Sequence, residues 1–152
     1  MPTRCLKVML FLAVLAVALH GETPLDTRYN KAAVEPVKTS IYIGYVKLTI
    51  PMFTRTRDGY VSTYNASVVP FFFWSEHGQM TIKASDDDLR QLARGETVEF
   101  NGHAENSDGE ARPIVGRAVP QDAIQGKLKV RVFVSKNIQL IFNTTYRFVG
   151  GP

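Results

Sequence analysis

The sequence predicts an all-β, mainly antiparallel domain of about seven strands, arranged as a sandwich or a partly closed barrel. Runs of β-branched and aromatic residues cover most of the chain after residue 39. Short turn signals, among them Asp58-Gly59 and Asp108-Gly109, separate these runs. Only one segment, at about 86–94, has the start and stop signals of a helix. We therefore expect one short helix between the third and the fourth strand.

The amino terminus has the pattern of a signal peptide, which we place at residues 1–21. Arg4 and Lys7 precede an unbroken apolar run at 8–19, which is shorter than the roughly 20 residues of a membrane-spanning helix. Cleavage is expected after Ala18 or Gly21. It would remove Cys5, the single cysteine of the chain. The sequence therefore predicts an exported protein, periplasmic or secreted, without a disulfide.

The charge of the chain after cleavage is close to balanced. Removing Arg4 and Lys7 from 18 bases leaves 16 against 14 acids. Together with export, this balance gives no reason to expect a nucleic-acid partner. Residues 22–38 contain two prolines and no sustained hydrophobic period, which predicts a flexible amino-terminal arm. Residues 39–149 are then expected to form a single β domain.

The first two strands are predicted at about 39–53 and 60–74. The Asp58-Gly59 pair between them favours a hairpin. Pro51 indicates that the first strand is an edge strand or is bulged there, because proline cannot donate a hydrogen bond to a neighbouring strand. His77-Gly78 is expected to turn the chain into a third strand at 80–84.

The helix is predicted from its capping signals. Ser85 is a suitable N-cap, and the run 86–88 consists of three aspartates, whose charge is favourable in the first turn. Gly95 can end the helix. Leu89 and Leu92 are three residues apart, so they share a face that can pack on a sheet.

The last four strands are predicted at 98–105, 111–119, 127–134 and 138–148. For the last pair, a three-residue loop at 135–137 sets Val132 opposite Leu140 and gives one apolar face. A two-residue loop would mix apolar and polar residues on both faces. We therefore expect the longer loop, with Asn137 in the left-handed conformation.

Four adjacent rings occupy residues 71–74. Because this stretch is apolar on both faces of a strand, it favours burial in the core with the helix covering its second face. The alternative is that Phe73 and Trp74 form an exposed platform for an envelope glycan, a lipid or another envelope protein.

Polar residues follow the rings. Glu76 and His77 come directly after them, and Asp86 and Asp88 a few residues later. Imidazole and carboxylate groups suit a divalent cation, so His77, Asp86 and Asp88 are weak candidates for metal ligands. Their spacing matches no established binding loop, and we expect no cofactor.

Two further rows of polar side chains lie on predicted strands. His103 alternates with Glu99 and Glu105 on one strand face, where an acid–base pair or a simple solvated face gives the same pattern. A basic row lies on another strand, and it predicts either a solvated edge or a site for an anionic polymer or lipid head group. It consists of Lys127, Lys129 and Arg131.

These features predict a small exported β domain with a non-catalytic binding or structural role in the cell envelope or outside the cell. The candidate ligand-binding residues are Phe73, Trp74, Glu76, His77, Lys127, Lys129 and Arg131. One alternative is a small envelope hydrolase or metal-dependent enzyme that uses the region 76–88 or the His103 face. A further alternative is a compact outer-membrane barrel, which the alternation over 138–148 indicates.

Overall fold

The computed structural model describes residues 25–150. The predicted signal peptide and residues 22–24 of the predicted arm lie outside this range. Within it the chain forms ten strands, one α-helix and two short 3-10 helices. The strands are β1 (Lys31–Val34), β2 (Val37–Ile41), β3 (Gly44–Thr49), β4 (Phe53–Thr56), β5 (Gly59–Val69), β6 (Glu76–Lys83), β7 (Val98–Asn106), β8 (Ala111–Pro120), β9 (Gln125–Ser135) and β10 (Ile138–Phe148). The helix α1 (Asp86–Ala93) lies between β6 and β7, and the 3-10 helices are Thr27–Asn30 and Phe72–Trp74.

Eight of these strands close into an antiparallel barrel. The order around the ring is β5-β4-β1-β10-β9-β8-β7-β6, and the pairing of β6 with β5 closes it. The hairpin of β2 and β3 lies outside the ring and pairs with the far half of β5. The predicted all-β antiparallel class is confirmed. Of the two predicted arrangements, a sandwich or a partly closed barrel of about seven strands, the structure is nearer to the barrel, but the barrel has eight strands, is fully closed and has two further strands outside it. Closure pairs both edges of the sheet, which a sandwich leaves open.

The first predicted strand is divided into three. A turn at Tyr42 and Ile43 separates β2 from β3, and the segment around Pro51 separates β3 from β4. Proline lacks the backbone N–H that a continuous strand would need, and the strand ends before Pro51. The predicted edge strand or bulge is not what the structure has, because β3 and β4 each pair with a strand on both sides. The structure differs from the predicted arm, because Tyr29 is buried and β1 pairs with both β4 and β10.

The interior of the barrel is apolar. Inward residues such as Met80, Ile114 and Phe142 are buried. Outward residues of β6 and β10 are mostly polar or charged, whereas those of β8 include the half-exposed Val115 and Val119. A barrel of eight strands is just wide enough for such side chains to fill it.

The pairing of β9 with β10 confirms the predicted interior register. Val132 lies opposite Leu140, so the apolar residues of both strands face the core. The turn itself differs from the prediction, because Ser135 pairs with Ile138 across a two-residue turn. Val134 is then the extra residue of a bulge, which restores the register. The left-handed Asn137 is wrong, since no non-glycine residue within 25–150 has a positive φ.

Helix α1 covers one end of the barrel. The Ser85 hydroxyl accepts a hydrogen bond from the Asp88 N–H at 3.1 Å, and the Asp88 carboxylate accepts one from the Ser85 N–H at 2.7 Å. This capping box confirms the predicted start of the helix. Leu89 and Leu92 are buried against the barrel interior. Across residues 25–150, no helix has the length and hydropathy that crossing a membrane would require.

The barrel therefore has two different ends, because consecutive antiparallel strands alternate in direction. The helix end carries α1 together with the turns that follow β4 and β8. The loop end carries the turns that follow β2, β7 and β9, and the connection from β5 to β6. Four of the candidate residues, Phe73, Trp74, Glu76 and His77, lie at the loop end.

Candidate functional site

Three adjacent aromatic rings protrude from the loop end. Pro70 follows β5, and the chain then forms the short 3-10 helix Phe72–Trp74. The side chains of Phe72, Phe73 and Trp74 are 79%, 66% and 59% exposed. Only Phe71 packs against the core. The prediction that the rings fill the core is therefore wrong for residues 72–74, because the chain leaves the sheet at Pro70 instead of continuing as a strand.

The turn between β2 and β3 lies beside these rings. Tyr45 pairs with Val69, which brings Gly44 against the start of the aromatic loop. The approach is so close that a Cβ on Gly44 would lie 1.9 Å from the Val69 carbonyl oxygen. Tyr42 is 102% exposed, and Ile43 is exposed beside it. We call the five exposed residues together the aromatic tip: Tyr42, Ile43, Phe72, Phe73 and Trp74.

The rings of the aromatic loop contact one another edge to face. The Phe73 and Trp74 centroids are 5.2 Å apart at an interplanar angle of 69°. Phe72 and Phe73 are 6.0 Å apart at 74°. Phe71 supports the group from the core side, with its centroid 4.8 Å from that of Trp74. Such pairs are favourable, but they give a ridge of ring edges and not a flat common face.

A buried polar cluster lies just inside the loop end. Glu76, the first residue of β6, points inward, and its carboxylate accepts three hydrogen bonds. The Tyr64 hydroxyl donates at 3.0 Å, the Asn106 amide at 3.3 Å and the Arg112 guanidinium at 3.2 Å. Arg112 also donates to the Val134 carbonyl at 3.0 Å. We call Tyr64, Glu76, Asn106 and Arg112 the mouth cluster.

The electrostatics of the mouth cluster favour a charged Glu76. Burial alone would raise the pKa of this carboxyl, but the hydrogen bonds from Arg112, Asn106 and Tyr64 outweigh it and lower the pKa. The pKa of Tyr64 is raised, first by burial and then by the neighbouring charge of Glu76. A charged carboxylate with both oxygens engaged is a poor general acid or base. The cluster is suited to joining β5, β6, β7 and β8.

Sequence reasoning selected Glu76 but missed its partners Tyr64, Asn106 and Arg112. They come from three other strands, so no local spacing connects them. The available signal is that Arg112 occupies an inward position of β8, in the same alternation as buried Ile114. A charged residue at an inward position requires a partner of opposite charge nearby.

The structure does not bring the candidate metal ligands together. His77 lies within β6, not in a turn as expected, and its side chain points outward at the loop end. Asp86 and Asp88 follow the other end of β6 and belong to the start of α1. Asp86 pairs with Arg55, and Asp88 is part of the helix cap. Among residues 25–150, no group of three or more His, Cys, Asp and Glu side chains is placed to hold a metal ion.

The two polar strand faces lie on the outer wall of the barrel. His103 and its neighbouring carboxylates are exposed on β7, where Glu99 forms an ion pair with Arg117 at 2.7 Å. The basic row on β9 is exposed as well. Its Lys129 lies opposite Arg117, and the two border a shallow depression of about 500 Å³ on the outer wall. Neither face is near the aromatic tip, since β7, β8 and β9 lie on the other side of β6 from β5.

The interior holds two small apolar cavities. One, of about 40 Å³, lies between the sheet around β3 and the facing strands β9 and β10. The other, of about 90 Å³, lies beneath α1, beside Leu89 and Leu92. Both are smaller than a drug-sized ligand site, which is about 300 Å³ or more. The ligand-sized features of the described chain are thus on its surface.

The fold and the site define a closed, meandering β-barrel with an exposed aromatic tip at one end and a hydrogen-bonded ion-pair cluster behind it. No protein-family model, curated protein or solved structure gives a significant match to the chain. Its function is therefore argued from the residues themselves.

Proposed function

We propose that this is a non-catalytic binding protein of the cell envelope or the extracellular space, and that the aromatic tip is its contact surface. The observation that carries the proposal is the exposure of Phe72, Phe73 and Trp74. Exposed apolar patches of this kind mark interaction sites on soluble proteins. The signal-peptide pattern of residues 1–21 supports the assignment to an exported compartment.

The energetics of the loop support a contact role. A buried aromatic side chain removes about 150–250 Å² from water, at roughly 25 cal/mol for each Å². Three adjacent rings that stay exposed therefore leave several kcal/mol of favourable burial unused in the isolated chain. A partner that covers them would recover much of that free energy. The loop backbone is well hydrogen-bonded, since Trp74 and Ser75 donate to the carbonyls of Phe71 and Phe72.

The mouth cluster supports a binding role over the alternative of a hydrolase. Glu76 is the candidate carboxylate nearest to the aromatic tip, and three donors already occupy it. His77 lies on the outer surface of β6, so it does not share a cleft with Glu76. An acid–base pair would need both groups to reach one substrate atom.

The distribution of polarity supports a protein that does not span the outer membrane. Outer-membrane barrels carry an apolar band outside and polar residues inside. Here Phe142 and Ile114 face the interior, while Lys129 and Arg131 project from the outer wall. Charged residues on the outer wall would be costly in lipid.

Cell fractionation with a matched pair of variants tests the proposal. The first variant replaces Phe72, Phe73 and Trp74 with serine. The control replaces three half-exposed apolar residues of the outer wall with serine: Val115, Val119 and Ile141. We expect the wild-type protein and the control to be exported and retained on envelope or extracellular material. The tip variant should be exported but released as a folded soluble protein. Equal retention of both variants, or cytosolic wild-type protein, would overturn the proposal.

A further inference from the structure

We propose that the partner of the aromatic tip is the interfacial zone of a lipid bilayer that contains anionic phospholipid. This inference rests on the proposed function and assigns the occupant of the same surface. It is carried by four observations on the described chain: the absence of charge at the tip, the shape of the ring cluster, the internal bonding of the loop and the basic residues on the β2–β3 hairpin.

The two segments of chain that form the tip contain no charged residue. Residues 59–75 contain no Asp, Glu, Lys or Arg, and neither do residues 39–46. These stretches include both loops of the tip, which lie side by side through the pairing of Tyr45 with Val69. A surface that binds another protein usually has an apolar core surrounded by a polar rim. An uncharged tip formed by two adjacent loops suits the edge of the hydrocarbon region, where a charge is expensive.

The shape of the ring cluster favours insertion over stacking. A sugar ring or a base stacks on a flat aromatic face, whereas Phe72, Phe73 and Trp74 meet edge to face at 69° and 74°. They form a ridge that can enter between lipid head groups. Tryptophan and tyrosine side chains are enriched at this depth of membranes, and the tip contains Trp74 and Tyr42.

Three of the five backbone donors at residues 71–75 are satisfied within the loop. The N–H groups of Phe72, Trp74 and Ser75 donate to carbonyls at positions 70, 71 and 72. The Ser75 hydroxyl accepts a bond of 2.9 Å from the Val68 N–H. Groups that move away from water must keep their hydrogen bonds, because an unsatisfied backbone donor in lipid costs several kcal/mol. These bonds remain when the tip enters the interface.

The charges on the β2–β3 hairpin, which carries one of the two loops of the tip, are basic. Lys38 on β2 and Lys47 on β3 pair across the hairpin, and both are exposed. The hairpin itself, residues 37–49, contains these two bases and no acid. The Lys38 ammonium lies 4.7 Å from the Tyr45 ring centroid, on the strand that leads from the tip. The hairpin thus offers a positive surface to anionic head groups while the rings enter the membrane.

Vesicle binding tests the inference, with Trp74 as the probe because it is the single tryptophan of the chain. The vesicles contain either phosphatidylcholine alone or phosphatidylcholine with phosphatidylglycerol. We expect the mixed vesicles to bind the folded protein and shift Trp74 emission to the blue. Lipids brominated near the head-group end of the acyl chain should quench it more than lipids brominated near the chain terminus, since interfacial insertion is about 5–10 Å deep.

Two pairs of variants separate the contribution of the rings to vesicle binding from that of the hairpin lysines. Replacing Phe72 and Phe73 with serine should weaken vesicle binding at least about tenfold, while replacing Val115 and Val119 with serine should not. Replacing Lys38 and Lys47 with serine should abolish the preference for phosphatidylglycerol. The matched control for that pair replaces Lys127 and Lys129 with serine, which should leave the preference in place.

The outcomes also distinguish this inference from the proposed function. Tip-dependent retention in cells without vesicle binding would overturn the lipid assignment and leave the binding role intact. Binding to soluble glycan fragments in place of vesicles would do the same. Emission that is blue-shifted without lipid and depends on protein concentration would assign the tip to a second copy of the chain. Loss of both tip-dependent retention and vesicle binding would overturn both proposals.

Discussion

The Glu76 carboxylate and the Arg112 guanidinium lie 3.2 Å apart inside the loop end of the barrel, although their strands β6 and β8 are not neighbours. Asn106, on the intervening strand β7, donates to the same carboxylate. The ion pair therefore spans three strands at the level where the aromatic loop leaves the sheet. It stabilises the base of that loop, because Glu76 follows Trp74 by only two residues.

Replacing Glu76 with glutamine should destabilise the fold by about 1–3 kcal/mol, since Arg112 would lose a charged acceptor in a partly buried site. Chemical denaturation at neutral pH measures this free energy. The matched control is Glu99→Gln, which removes an ion pair on the exposed outer wall. Its expected cost is about 0–1 kcal/mol. Equal costs for the two variants would show that the mouth cluster contributes no more than a surface pair.

The contribution of Glu76 should depend on pH in the acid range. Its pKa is lowered from the ordinary value of 4.5 in the folded state, because hydrogen bonds to the charged form outweigh the effect of burial. A lowered folded-state pKa gives stability that is fully present above 4.5 and is lost as the pH falls through the folded-state value. The stability difference between wild type and Glu76→Gln should therefore be constant near neutral pH and shrink below about 4.5. A difference that stays constant or grows on acidification would contradict this assignment.

Two phenylalanine substitutions should show that a ring in the core contributes to stability and a ring of the tip does not. Phe142 is 2% exposed, so Phe142→Ala should cost about 3–5 kcal/mol through lost burial and a cavity. Phe72→Ala should change the free energy of unfolding by less than about 0.5 kcal/mol, because its ring is mostly in solvent. Urea denaturation of the two variants provides the comparison. A similar loss at both sites would place Phe72 in the core.

Trp74 should report its exposure directly in the folded, lipid-free protein. We expect an emission maximum close to that of a tryptophan amide in the same buffer, together with ready quenching by acrylamide. Unfolding in urea should then shift the emission only slightly. Blue-shifted emission that resists the quencher in a monomeric sample would contradict the exposed position of the ring.

The features that the sequence predicts well have local causes. The helix start depends on Ser85 and Asp88, which are three residues apart and bond to each other. The register of β9 and β10 follows from the alternation around Val132 and Leu140. In both cases, the residues that determine the structure lie within one turn or one hairpin.

Closure of the barrel has no such local signal. It depends on the pairing of β1 with β10, as in Ala32 opposite Phe148, between the two ends of the described chain. The short strand β1 looked like part of an arm because two prolines flank it in sequence. The sequence also left the position of the rings open, since their apolar character favoured a buried strand but an exposed platform was the alternative. Pro70 was the available signal that β5 ends before them.

The partners of Glu76 could not be predicted for a related reason. Arg112 is 36 residues from Glu76 along the chain, and it reaches the carboxylate only because β6, β7 and β8 are consecutive in the barrel. Without the strand order, an inward Arg112 and an inward Glu76 are two separate anomalies. With it, Arg112 explains how Glu76 remains charged, and Glu76 is one of two carboxylates beside Arg112, the other being Glu110 at 2.7 Å.

The last prediction concerns Gly116, which lies opposite Phe100 on the neighbouring strand. A Cβ at position 116 would lie 2.2 Å from the Phe100 Cζ atom, so the ring occupies the space of the missing side chain. Gly116→Ala should therefore destabilise the fold by about 1–3 kcal/mol through overpacking. In a Phe100→Ala background the added methyl group has room. The double variant should therefore lose less stability than the two single variants lose together, by at least about 0.5 kcal/mol.

Val46→Ala provides the control background, because Val46 is buried on β3 and lines neither of the two cavities that Phe100 borders. There the cost of Gly116→Ala should add to that of Val46→Ala within about 0.5 kcal/mol. Denaturation of the single and double variants gives both coupling energies. If the costs of Gly116→Ala and Phe100→Ala were additive as well, the loss of stability caused by Gly116→Ala would have to come from the backbone and not from a clash with the Phe100 ring. The packing of Phe100 over β8 would then not explain why glycine occupies that position.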